Sequence, residues 1–291
     1  MRPWPTSVRT LVNNPPQPTG CGPKLSGATV AWDYLCHQRT CILMMTHSLA
    51  NYLREDPLPI DARALGKTLV LAPHPDDESL GCGGTLALLR QADYPVHVVF
   101  VSDGTLSHPN SPTYPAERLR DLREVEARAA LTELGIPETM STFLRLPDRH
   151  VPEAGMPGFD EQAASLAQQI QSFRPTTVLV PYERDPHPDH RATYQLLERA
   201  LQTVSTQPRV LEYLIWLWEL GRPDDLPKPN ERIVLKIDIH TAVDQKKRAI
   251  QAHQSQVTRL IDDDPSAFYL SPELLSHFDA PYELFVEKVI R

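Results

Sequence analysis

With 291 residues, 41% of them apolar, and a formal charge of −8, the chain suits one large α/β domain or two small ones. The acidic balance excludes a broad nucleic-acid footprint, which needs a basic face, and gives no pull toward an anionic membrane. No apolar run approaches the ~20 residues of a membrane span.

Residues 1–60 are punctuated by proline (PPQP, DPLP), lack sustained periodicity and hold no acidic residue before Asp33. They read as a disordered extension, with Met44 and Met45 as alternative starts, and a single domain is expected over 61–291. No clean secretory signal is present, because a basic start, a continuous apolar region and a small-residue cleavage site do not occur together. Cys21, Cys36, Cys41 and Cys82 are too few and too uneven for a disulfide framework. Without CxxC spacing, the first three form no zinc knuckle with His37. A reducing, cytoplasmic setting follows as the expectation.

From Lys67 the pattern becomes strand and helix in alternation. KTLVLA (67–72) is a short apolar run bounded by polar turns, hence a buried strand. Residues 78–91 carry a helix with Leu80, Leu86, Leu88 and Leu89 on its apolar face. VHVVFVSDG (96–104) is a second strand, and 116–135 an amphipathic helix closed by glycine. TFLRL (142–146), a helix over 160–173, TTVLVP (176–181) and a helix starting near Asp189 continue the series. Beyond residue 205, RVLEYLIWLW and RIVLKIDI read as strands, 242–259 as a helix and YELFVEKVI as a closing strand. This order predicts a Rossmann-like three-layer α/β fold with a mainly parallel sheet. Ligands of such sheets bind at the carboxyl ends of the strands.

Those ends carry PHPDDE, SDG and RDPHPDH. The first cluster offers His74, Asp76, Asp77 and Glu78; the second offers Asp185, His187, Asp189 and His190. Imidazoles with carboxylates suit Zn²⁺ or another divalent first-row metal, and a dication compensates charges at the end of an apolar strand. Either cluster alone is explained better by a proline turn and a helix cap. Two clusters at neighbouring strand ends favour the metal. GCGGT (81–85) fails the G-x-G-x-x-G spacing, so its glycines are assigned to close helix–sheet packing and Cys82 to the same role.

APHPDDE (72–78) with PHPDHRA (186–192) resembles the LmbE-like, PIG-L-like family of zinc-dependent de-N-acetylases, which act on N-acetylglucosamine conjugates and related amino sugars. The likeness spans most of 67–260 and takes in SDG, the REVE of 123–126 and KKRAIQAHQSQ (246–256). Residues 1–60 find no counterpart in it. The resemblance implies His74, Asp77 and His190 as metal ligands, Asp76 as general base, and His187 as oxyanion stabiliser. Either Asp76 or His187 then serves as general acid. The cofactor implied is Zn²⁺, with Fe²⁺ or another divalent metal as the alternative. Arg123 is expected to anchor substrate or else to pair with Glu126 one helical turn on. Asp103 is expected to touch substrate or to cap its Asp-Gly turn. Asp189 orients a histidine from behind or caps its helix. His108 and His253 read as surface or loop histidines.

The function implied is hydrolytic removal of an acetyl group from an amino-sugar conjugate, a small molecule. No nucleic-acid partner and no stable membrane insertion are expected, and the oligomeric state stays open. The alternatives are a non-catalytic Rossmann-like nucleotide- or sugar-binding module and a metal hydrolase with another substrate, such as a phosphoester.

Overall fold

A computed structural model describes residues 57–228 and 230–289. The expectations for Cys21, Cys36, His37, Cys41, Met44 and Met45, and for the extension up to residue 56, lie outside those residues. Eight strands among them form one sheet: β1 (Leu58–Pro59), β2 (Thr68–Ala72), β3 (Val96–Ser102), β4 (Ser141–Leu146), β5 (Thr177–Pro181), β6 (Arg209–Tyr213), β7 (Arg232–Asp238) and β8 (Tyr282–Lys288). Their order is β1-β7-β8-β6-β5-β2-β3-β4. Every neighbouring pair is parallel except those of β8, which runs antiparallel to β6 and to β7. The sheet already includes Leu58 and Pro59, which pair with Leu235 and Lys236.

The longer helices are α1 (Asp77–Gln91), α2 (Ala116–Glu133), α3 (Phe159–Phe173), α4 (Pro188–Leu201) and α5 (Val243–Ala252). Successive residues of β2 point to opposite faces, so Val70 and Ala72 join the core beneath α1, α2 and α5. Leu69 and Leu71 join the core beneath α3 and α4. All five residues of β2 are buried, which is why the strand reads as an uninterrupted apolar run. The chain steps from β2 to β3 to β4 on one side, then returns to place β5 on the other side of β2. Strand order therefore reverses between β2 and β5, and the crevice at their carboxyl ends is where such sheets bind ligands.

The strand expected through RVLEYLIWLW stops at Tyr213. The backbone N–H of Trp216 donates to Asp185 Oδ2 (3.0 Å), and a short helix over Leu217–Leu220 follows. The helix expected over 242–259 breaks at His253, which has φ −79° and ψ 57°, before a last turn over Gln254–Val257. No helix among the described residues is long and apolar enough to cross a membrane.

The glycines of α1 do let the helix approach the sheet. A Cβ at Gly81 would overlap the ring of Tyr213, and one at Gly84 the side chain of Ile239. The Tyr213 ring cannot swing away cheaply, because its hydroxyl donates to Leu71 O (2.7 Å). Gly81→Ala is expected to lower stability by ~1–3 kcal/mol through overpacking, read as a shift of the urea midpoint at unchanged slope. A midpoint equal to the parent's would show that the contact relaxes freely.

Candidate active site

Past the end of β2, Pro73 O accepts from Ser102 N (2.9 Å), and the chain turns sharply through His74–Asp76 into α1. Asp76 sits at φ 150°, ψ −27°, a conformation that side-chain-bearing residues rarely adopt. Two side chains hold it there. Glu78 Oε2 accepts from the Asp76 N–H (3.1 Å), and Arg123 on α2 donates to Pro75 O (2.8 Å) and Asp76 Oδ2 (3.1 Å). Arg123 also donates to Gly104 O (2.7 Å) and is only 3% exposed. It makes no pair with Glu126, whose carboxylate instead accepts from Ser255 N (2.7 Å) and Oγ (2.6 Å).

The second cluster is built at the end of β5. Asp185 accepts from His187 N (3.0 Å) through Oδ1, while its Oδ2 takes the Trp216 N–H. His187 is the N-cap of α4, its Nδ1 accepting from Asp189 N (3.2 Å), with Pro188 at the first helical position. Asp189 and His190 then fall in the first turn, facing β2.

The two clusters meet at one oxygen. Asp77 Oδ2 lies 3.3 Å from His74 Nδ1 and 3.2 Å from His190 Nε2. Each imidazole presents its far nitrogen to another carboxylate. His74 Nε2 lies 3.2 Å from Asp189 Oδ2 and 3.4 Å from Asp148 Oδ1, and His190 Nδ1 lies 3.3 Å from Asp185 Oδ1. Carboxylate–histidine pairs of this kind orient imidazoles toward a metal. His190 is fully buried, yet neither ring nitrogen makes a well-aligned hydrogen bond. Buried polar atoms left so are costly unless another partner takes them. Ligand bonds of ~2.0–2.1 Å in tetrahedral geometry set neighbouring donors ~3.3–3.4 Å apart. The Asp77–His74 and Asp77–His190 separations match that edge, so the donor set fits a divalent ion. Nitrogens of His74, His187 and His190 also lie within 4.8 Å of one another, as do donors of His74, Asp148 and Asp189.

Residues 69–201, which contain both clusters, match the PIG-L family, described as GlcNAc-PI de-N-acetylase. A Bacillus cereus protein named as a probable N-acetyl-alpha-D-glucosaminyl L-malate deacetylase 2 is 27% identical, over 67% of this chain and 86% of its own. A Saccharopolyspora erythraea 1D-myo-inositol 2-acetamido-2-deoxy-alpha-D-glucopyranoside deacetylase 1 is 29% identical, over 66% and 78%. Among solved structures, a conserved protein of Thermus thermophilus superposes with a TM-score of 0.56 at 26% identity, covering 77% of this chain and 96% of its own. The N,N'-diacetylchitobiose deacetylase of Pyrococcus horikoshii shares the fold, with a TM-score of 0.54 at 20% identity over 79% and 80%.

Within the matched stretch the charges are strongly biased. Burial pushes the Asp76 carboxyl up to about 6, against the opposing pull of the Arg123 guanidinium. Burial acts the same way on Asp77, but His190 and His74 beside it hold that carboxyl well below the usual range. Burial, with His74 and His190 adding to it, pushes His187 down to about 2. Burial would lower His190 too, yet Asp77 and Asp185 raise it to about 9. A cavity of about 240 Å³ opens over the cluster, with His74, Asp76, Asp77, Arg123 and His187 in its wall. Asp77 and Glu78 occupy the first turn of α1, which disfavours a phosphate there.

Of the residues singled out from sequence, Asp103, like Asp189 and His190, is absent from the cavity wall. Its Oδ1 accepts from Thr105 N (3.1 Å), Thr105 Oγ1 (2.9 Å) and Asp148 N (3.2 Å), so it shapes the turn and sets Asp148 behind His74. Asp189 faces His74, and the cap of α4 is His187. His108 and His253 are buried, not surface histidines: His253 Nε2 lies 2.9 Å from Glu78 Oε1 inside the core. Asp148 escaped the sequence reading. It follows β4 in LPD, and the rule that polar groups at strand ends converge applied to that strand as well.

Proposed function

We propose that this protein is a metal-dependent hydrolase that removes the acetyl group from an N-acetylated amino sugar in a small-molecule conjugate. The observation that carries this reading is the Asp77 Oδ2 contact with both His74 and His190, inside a domain whose relatives are named as amino-sugar deacetylases. His74, Asp77 and His190 hold the ion, with Asp189 and Asp148 behind His74 and Asp185 behind His190. Two imidazoles with one carboxylate suit Zn²⁺, with Fe²⁺ as the alternative. When bound, the ion supplies Lewis acidity and acidifies water toward neutral pH.

The remaining work falls to the side chains. Arg123 fixes Oδ2 of Asp76 and aims the carboxylate as general base, so Arg123 acts through Asp76. His187 accepts the Asp189 N–H at Nδ1, which puts its ring proton on Nε2 and makes it a neutral donor for the oxyanion of the tetrahedral intermediate. A doubly protonated His187 would set one N–H against another. The proton taken up by Asp76 is therefore the one delivered to the leaving amine.

Two measurements check this. Metal-loaded protein is expected to release one acetate per free amine from at least one N-acetylglucosamine conjugate; no acetate across a broad panel would sink the proposal. His187→Ala is expected to lower kcat ~10²–10³-fold with KM and metal content near the parent's. A variant that instead lost its metal would place His187 among the ligands.

A further inference from the structure

Part of the cavity wall is polar, but another part is built differently. Ile215, Trp216, Leu220, Phe268 and Leu270 line it together with Leu106. All but Leu106 lie beyond residue 201, outside the stretch that matches the family. Leu220 and Phe268 are 57% and 38% exposed, so two large apolar side chains stand open to solvent at the mouth of the cleft. Exposed apolar surface continuous with a cleft marks a binding surface. Trp216 joins this wall to the chemistry, its ring 5.5 Å from Phe268 on one side and 6.2 Å from His187 on the other.

The wall is held in place before any ligand arrives. Phe268 N donates to Ser107 O (2.8 Å) and Leu270 N to Gln256 O (2.9 Å). Asp264 Oδ2 accepts from Asn110 N (2.7 Å), and Asp263 Oδ1 from Ser111 Oγ (2.6 Å), tying the 261–270 loop to the 105–111 loop. A surface fixed in advance costs little ordering entropy when it is covered.

We propose that the amino sugar this protein deacetylates carries an apolar group, alkyl or aryl, which packs on Trp216, Leu220 and Phe268. The inference rests on the deacetylase reading above. In a 2-acetamido sugar the anomeric carbon is one ring bond from the carbon that bears the reacting amide, three bonds from its carbonyl carbon. A substituent there has a short path to the aromatic wall.

The test compares octyl and methyl 2-acetamido-2-deoxyglucosides, with a carboxymethyl glycoside as third arm, on full-length Zn²⁺-loaded protein below the octyl compound's micelle concentration. Acetate release is expected to favour octyl over methyl by at least ~10-fold in kcat/KM, with most of the difference in KM. In the Leu220→Ser/Phe268→Ser double variant the ratio is expected to fall toward one; both side chains are exposed enough for the fold to tolerate polar replacements. Equal efficiencies in the parent, a preference for the carboxymethyl glycoside (which would point to Arg149 at the same cavity), or a ratio that survives in the variant overturns this inference alone. No acetate from any glycoside overturns the deacetylase reading and this one with it.

Discussion

Asp76→Asn is expected to reduce kcat by ~10²–10⁴-fold while leaving bound metal at the parent's level. Asparagine keeps the volume of the side chain and an oxygen that can accept from Arg123, so the strained turn at φ 150° and the packing around it should survive. What is lost is the ability to take a proton from water and return it to the amine. Metal analysis and acetate release on the same sample separate these effects. Activity within a few-fold of the parent would remove Asp76 from the proton path.

The second large effect is expected at His190. It is fully buried, its two ring nitrogens face Asp77 and Asp185, and neither makes a well-aligned hydrogen bond. His190→Ala should weaken metal binding by well over ~100-fold and abolish acetate release. Asp185→Asn, which meets His190 at the far nitrogen and also disturbs an oxygen that accepts from His187 N or Trp216 N, should weaken it ~10–100-fold. A thermal melt of each variant guards against loss of fold, since an alanine leaves a cavity at a fully buried site. If His190→Ala bound metal as tightly as the parent, the ion would have to sit elsewhere, and His74 with Asp148 and Asp189 is the next group able to hold it.

Much of this site was legible in the residues because its chemistry is compressed into two short segments. PHPDDE and PHPDH each follow a buried apolar strand, and the pairing of β2 with β5 brings them together as neighbouring strand ends should. The residues that were misread share a cause. Of the two readings of Arg123, the pair with Glu126 one turn away fails, because tertiary packing turns the guanidinium inward to Asp76, 47 positions earlier. His253 lies within an apparently continuous helical pattern, and nothing local announces that Glu78, 175 positions away, draws it into the core and breaks the helix. YLIWLW has strand composition throughout, yet Asp185 captures the Trp216 N–H and ends the strand at Tyr213. Local propensity cannot anticipate partners that only the fold supplies.

The central claim is that an ion held by His74, Asp77 and His190 is required for removal of an acetyl group. The most direct measurement strips the protein with chelator, titrates Zn²⁺ back, and follows acetate release from an N-acetylglucosamine conjugate at each step. The account predicts negligible release from the stripped protein and a linear rise that reaches its ceiling at one equivalent of metal. Acetate release by the stripped protein at the rate of the loaded one would contradict it.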